Sequence, residues 1–247
     1  MHTTQIAGDG TPLLMLHGWG QSQENLHPLA ELLAPISQPH LIDLPGFGKS
    51  EPPPSVWSAF DYADEMIRYL DMQKIEKVSL LGHSFGGKVA MCIAIRYPQR
   101  VHRLILLAPS GLKPKRRISQ KIRIKLIITV GKLLKSYDNI SGSQHYGSHF
   151  IPRFGSSDYQ NAGIMRPILV RSVNEDLSSD VQQIHCPTLI LWGKNDTETP
   201  PEIGCRLHSL ITGAKLVLFP YHGHHLFQDV GSHLCATYIR PFLQETK

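Results

Sequence analysis

Residues 82 to 86 read G-H-S-F-G, with the apolar run V-S-L-L directly before and G-K-V-A-M-C-I-A-I-R-Y directly after. A serine hydroxyl is a poor nucleophile near neutral pH unless an imidazole takes its proton and a carboxylate orients that imidazole. The flanking runs predict a strand, a sharp turn at Ser84 and a helix, the context in which such a hydroxyl projects free of its neighbours. Gly82 and Gly86 suit that turn because a side chain at either would crowd the strand against the helix. The chemistry this implies is attack on an acyl carbon. Negative charge would then grow on the carbonyl oxygen, which hydrogen-bond donors must meet. Loss of one such donor costs about 3 to 4 kcal/mol of transition-state stabilisation.

The two partners are expected downstream, past later strands. Asp196 ends the stretch L-I-L-W-G-K-N-D, just beyond a strong apolar run. Asp176 and Asp180 precede that run and so fall at the wrong end of a strand, because sites in open α/β sheets form beyond the carboxyl ends. Asp229 is a further competitor, and Asp196 itself could serve only as a turn or helix-capping residue ahead of Pro200 and Pro201. For the base, F-P-Y-H-G-H-H-L-F offers His222, His224 and His225. Spacing does not choose among the three. A metal site is not expected there, since no carboxylate or cysteine lies close in sequence to complete a shell. No cofactor is implied. Asp43 to Ser50, D-L-P-G-F-G-K-S, superficially suggests a phosphate loop, but G-x-x-x-x-G-K-[ST] requires glycine where Asp43 stands, and nucleotide binding is rejected.

These groups need a scaffold that brings distant loops to one edge. Apolar runs at Leu13 to Leu16, His40 to Leu44, Val78 to Leu81, Leu104 to Ala108, Thr188 to Trp192 and Leu216 to Phe219 predict strands. Leu26 to Leu33, Ala59 to Leu70, Gly87 to Tyr97, Ile203 to Leu210 and Leu234 to Leu243 suit helices between and after them. The alternation predicts a mostly parallel sheet with helices on both faces, a single α/β domain over residues 1 to 247. It breaks at about 111 to 183, where an inserted helical cap is expected, irregular over 142 to 157 around Gly142, Gly147 and Gly155. Four cysteines, Cys92, Cys186, Cys205 and Cys235, with no C-x-x-C pair, are too sparse for a disulfide framework. With no secretory signal in M-H-T-T-Q-I-A-G-D-G and no apolar run near a membrane span, a cytoplasmic setting is expected.

On the G-H-S-F-G elbow, the downstream acid and the histidine cluster, the chain resembles the serine α/β-hydrolase superfamily over nearly its whole length outside the cap. The resemblance implies that the catalytic histidine directly follows a glycine, selecting His224 after Gly223. It also implies that His17-Gly18-Trp19-Gly20 is the family's H-G-x-G loop, with the Trp19 N–H and the N–H of Phe85, the residue after the nucleophile, as the oxyanion donors. The segments H-G-W-G and D-L-P-G-F-G are similar to pimeloyl-[acyl-carrier-protein] methyl ester esterases, whereas His83 and Phe85 stand where those enzymes have Trp and Leu. The implied activity is hydrolysis of a carboxylic ester, thioester or lactone, as in carboxylesterases, through Ser84, Asp196 and His224. Alternatives on the same fold are carbon-carbon bond hydrolysis of a dienoic diketone, acyl transfer to an acceptor other than water, and a ligand receptor with little turnover.

Charge is unevenly distributed. The net charge of +5 hides nine Lys or Arg and no acidic residue between 113 and 135, against 16 basic and 20 acidic residues elsewhere. Helical projection of 118 to 135 sets Lys121, Lys125, Lys132 and Lys135 on one side and Ile118, Ile122, Leu126, Val130 and Leu133 on the adjoining face. The expectation is a cap helix with its apolar face over the pocket and its lysines in solvent. Besides a small acyl ester, the expected partners are an acidic acyl carrier protein or an anionic membrane surface. Nucleic acid is not among them.

Overall fold

An unbroken apolar run such as Leu13 to Leu16 suits a strand covered on both faces, and all four residues are fully buried. The computed structural model of the chain describes residues 1–114, 118–154 and 156–245, with all their side chains except those of Gln120, Lys121 and Ile124. In order, the chain forms β1 (Thr3–Gln5), β2 (Thr11–Leu16), α1 (His27–Leu33), β3 (Ser37–Ile42), α2 (Ala59–Met72), β4 (Val78–His83), α3 (Ser84–Arg96) and β5 (Val101–Leu107). Then follow α4 (Ile118–Ser141), α5 (Ile151–Phe154), α6 (Ser157–Asn161), α7 (Arg166–Asn174), β6 (Thr188–Gly193), α8 (Pro201–Leu210), β7 (Lys215–Phe219) and α9 (Val230–Gln244). Two compact units result, one of Met1–Lys113 with Val170–Lys247, the other of Pro114–Leu169.

The first unit holds a seven-stranded sheet in the order β1-β3-β2-β4-β5-β6-β7. It is parallel except for β1, which runs antiparallel to β3. Each of the six apolar runs lies in or overlaps a strand. The extra strand β1 is polar, T-T-Q, and pairs with His40, Leu41 and Ile42 at the sheet edge, so backbone pairing and not side-chain pattern makes it a strand. Strand β3 stops at Ile42, short of the expected Leu44, because the Leu44 N–H donates to His17 Nε2 at 3.0 Å and leaves the ladder. Helix α3 begins at Ser84 and not at Gly87, so the nucleophile candidate is itself the first helical residue.

In the second unit the stretch expected to be irregular is largely helical, with one π-helical turn at Tyr146–Phe150 followed by α5. Two features explain the correction. The Asp138 carboxylate accepts from the N–H groups of His145 and Tyr146 and from Ser143 Oγ, capping the turn. Tyr146, Phe150 and Phe154 recur at a four-residue spacing with ring centroids 5.5 and 5.0 Å apart, a helical signal that the neighbouring glycines obscured. The Phe150 ring fills the space a Cβ at Gly131 would need, 2.7 Å from that position, and so docks on α4. The expected burial of the α4 apolar face is not found: Ile118, Ile122, Leu126, Val130 and Leu133 are exposed. Lys115, Arg116 and Arg117 of the basic run, and Gly155, lie outside the described residues.

Candidate active site

Strand β4 ends at His83, and the chain turns at once into α3 with Ser84 at φ +49°. A non-glycine residue in the left-handed region carries strain that the surroundings must hold in place. They do so by close approach. A Cβ at Gly86 would lie 2.2 Å from the Leu16 carbonyl oxygen, and one at Gly82 2.5 Å from that of Gly86. Strand, turn and helix are therefore pressed together with backbone against backbone, leaving Ser84 partly exposed. The Phe85 N–H lies in the first turn of α3, where no carbonyl of the same helix can reach it and the helix dipole is positive.

The loop after β2 supplies the other expected donor. Trp19 is half-buried and its N–H makes no hydrogen bond among the described residues. The loop is pinned by the fully buried His17, whose Nδ1–H donates to the Gly18 carbonyl at 2.8 Å while Nε2 accepts from Leu44 N–H. Burial lowers the His17 pKa against smaller upward pulls from the Gly18 carbonyl and Asp43, which suits the neutral tautomer those partners dictate. Asp43 accepts from the N–H groups of Gln23 and Lys49 at 2.8 and 3.0 Å. Its carboxylate thus fills the loop that resembled a phosphate cradle. Trp19, Phe47, Phe85 and Tyr62 form a continuous aromatic wall with centroids 4.8 to 6.2 Å apart, edge-to-face except for the tilted Phe47–Phe85 pair. Phe47 and Tyr62 carried no sequence signal beyond being apolar.

The three histidines are separated by their partners. His224 Nδ1 lies 2.8 Å from Asp196 Oδ2, both residues buried. A carboxylate only accepts, so Nδ1 carries the proton and Nε2 the lone pair in the neutral ring. His225 is more exposed, with Nδ1 receiving the Gln21 amide at 3.1 Å. His222 packs its ring on Phe219 at 5.6 Å, and its carbonyl accepts from Asn195 N–H. Asp176 accepts from Ser178 and Lys113 N–H instead of any histidine. Asp229 opens α9 at φ +49°, and Asp180 precedes a short helical turn.

Asp196 is more thoroughly held than its spacing revealed. Oδ1 accepts from the N–H groups of Glu198 and Thr199 at 2.9 and 2.8 Å, and Oδ2 accepts from Thr199 Oγ1 at 2.8 Å as well as from His224. Burial pushes the Asp196 carboxyl upward, but the hydrogen bond and charge of His224, with the Thr199 donors, outweigh it and keep the group below its ordinary range. Thr199 also lies 3.1 Å from His224 Nδ1. The D-x-x-T spacing of a side chain accepting from N–H groups two and three residues on was the available signal for this clamp.

His83 ties the two halves together. Its Nε2 is 3.2 Å from the His224 carbonyl, its Nδ1 is 3.1 Å from Gln21 Oε1, and its ring centroid is 4.7 Å from that of His224. The residue preceding Ser84 thus touches the residue bonded to Asp196. Burial, aided by the charges of His224 and His225 and opposed by the His224 carbonyl, drives the His83 pKa well down. A neutral ring has one N–H, so it serves one of its two acceptors at a time. No hydrogen bond joins Ser84 Oγ to His224 among the described residues; such contacts commonly close only with substrate in place. No group of three or more His, Cys, Asp or Glu among the described residues is arranged to hold a metal ion.

The chain matches the family model described as alpha/beta hydrolase fold over residues 11–124 and that described as TAP-like protein over 166–247. It is 25% identical, over 91% of its length and 84% of the relative's, to a 2-hydroxy-6-oxononadienedioate/2-hydroxy-6-oxononatrienedioate hydrolase from Cupriavidus pinatubonensis. It is 26% identical, over 89% of its length and 91% of the relative's, to a pimeloyl-[acyl-carrier protein] methyl ester esterase from Nitrosomonas europaea. An esterase from Exiguobacterium antarcticum superposes with a TM-score of 0.75 at 22% identity, covering 99% of this chain and 95% of the other, and shares the fold.

Proposed function

The chain belongs to the α/β-hydrolase superfamily, and from that premise we propose that it is a serine esterase, acting on a carboxylic ester, thioester or lactone through an acyl-enzyme. The observation that carries this is the Asp196 to His224 hydrogen bond of 2.8 Å, held by His83 against the strained Ser84 turn. Ser84 Oγ attacks the acyl carbon as its proton passes to His224 Nε2. The tetrahedral oxyanion takes hydrogen bonds from the N–H groups of Trp19 and Phe85. The C–O or C–S bond then breaks, His224 returns the proton to the leaving group, and the acyl group stays on Ser84. Water attacks next, giving its proton to His224, and the second tetrahedral intermediate releases the acid and restores Ser84. Asp196 orients the imidazole and stabilises its cation without itself taking the proton. A small acyl ester is the partner these steps require, and four cysteines with no C-x-x-C pair among them fit a cytoplasmic setting.

A second reading, hydrolysis of a carbon-carbon bond in a dienoic diketone, is supported by the similarity to the Cupriavidus hydrolase. The test is a panel of p-nitrophenyl esters of graded chain length, a thioester, a lactone and a 2-hydroxy-6-oxo-dienoate, run beside Ser84→Ala with an organophosphonate probe. Ester turnover and probe labelling in the wild type, both lost in Ser84→Ala, are expected. Turnover confined to the dienoate would favour the second reading. Full labelling of Ser84→Ala would assign the nucleophile elsewhere.

A further inference from the structure

Helix α4 carries its apolar residues on the outside. Ile118, Ile122, Leu126, Val130, Leu133, Tyr137 and Ile140 are each between 40% and 86% exposed. At 3.6 residues per turn they fall within an arc of about 120°, and from first to last they run about 33 Å. Contiguous exposure on that scale is uncommon in a soluble unit and marks a surface that meets something. The side of α4 that faces its own unit is different and narrower: Gly131 is buried, and Ile127, Leu134 and Asp138 are partly so. Exposed Lys125 and Lys132 border the stripe on one edge, Lys135 lies beyond them, and exposed Arg123 borders the other edge. Ile128 is the exception, exposed on the lysine side. Between 118 and 137 there are five Lys or Arg and no Asp or Glu.

We propose that α4 is an interfacial helix that lays this stripe into the surface of an anionic phospholipid bilayer. Charge complementarity selects the occupant. A second copy of α4 would set like charges against like, and no acidic residue of the helix before Asp138 could relieve them. A bilayer accepts an apolar stripe of any outline, while long Lys and Arg side chains at its borders reach up to the phosphates. No helix among the described residues is long and apolar enough to cross a membrane, so the helix would lie in the interface and not span it. The inference concerns attachment and is independent of the chemistry at Ser84.

The experiment is co-sedimentation of the full chain with phosphatidylcholine vesicles, with and without phosphatidylserine, at low and moderate salt. Binding to the anionic vesicles is expected, weakening as the Debye length shrinks from about 30 Å at 0.01 M to about 10 Å at 0.1 M. Replacing Lys125, Lys132 and Lys135 by Gln should weaken binding about fivefold per charge. Leu126→Ser with Leu133→Ser should reduce it even at low salt, and circular dichroism on both variants separates lost binding from lost folding. Equal binding to neutral and anionic vesicles, or none to either, overturns the proposal. So does binding that survives both sets of substitutions. Dimerisation abolished by the leucine substitutions, or capture by an acidic acyl carrier protein with no vesicle binding, would assign the stripe to that partner instead.

Discussion

Helices α3 and α4 both carry isoleucine, valine and other apolar residues, yet these meet opposite fates. In α3 every residue from Phe85 to Ala94 is buried, including Lys88, whose ammonium is taken up by the Ser172 carbonyl and by Glu175 at 3.0 Å. In α4 eight large apolar side chains stand exposed. A paired lysine is inside while isoleucines are outside. Apolar content therefore does not decide burial; a surface to pack against does. Helix α3 lies on the central strands β4 and β5 and against α2, so its apolar residues are covered all round. Helix α4 offers its own unit only a narrow side, and its other apolar residues stand exposed.

The sharpest way to test this contrast is at the chemistry hung from the tightly packed unit. Asp196→Asn and His224→Ala are each expected to lower kcat by several orders of magnitude, with far from additive losses in the double variant. His225→Ala, by comparison, should cost little. A normal His224→Ala beside a dead His225→Ala would move the base by one residue and break the assignment.

Next in size is packing. Ile93 on α3 is fully buried, and Ile93→Ala should destabilise the fold by about 2 to 5 kcal/mol in urea titrations. A loss below about 1 kcal/mol would mean that α3 is not the keystone its burial indicates.

A smaller effect is expected from pH. Burial holds the His17 and His83 pKa values below the ordinary 6.5. On acidification the unfolded chain takes up protons at these two sites before the folded chain does, so stability falls as pH drops below about 6.5. Each site steepens the loss by up to about 1.4 kcal/mol per pH unit until its folded value is reached. Asp196 acts in the same direction at lower pH. Its depressed carboxyl contributes stability above the unfolded value, and that contribution is lost as pH falls through the folded one. Urea midpoints from pH 7.5 to 5 check this, and a flat profile would mean that the two rings take up protons as readily in the folded protein as in the unfolded chain. Smallest of all is Leu126→Ala on α4, expected to change stability in solution by less than about 0.5 kcal/mol because the side chain is already in water.

The local pattern of the chain was sufficient for the parallel strands, for the turn at Ser84 and for the position of Asp196 just past a strand, since each depends on neighbours in sequence: an apolar run, a pair of flanking glycines, a loop at a strand's end. It left three histidines open, and the H-G-x-G assignment of Trp19 rested on resemblance. Only the tertiary structure distinguished them, because which ring nitrogen meets Asp196 depends on how two loops 28 residues apart approach each other. The same holds for His17 and His83, polar residues whose roles come from Leu44 and His224, partners that no spacing rule connects. It holds most plainly for α4. Periodicity showed that the helix has an apolar face, but whether that face turns inward or outward is a property of what the rest of the chain leaves room to cover.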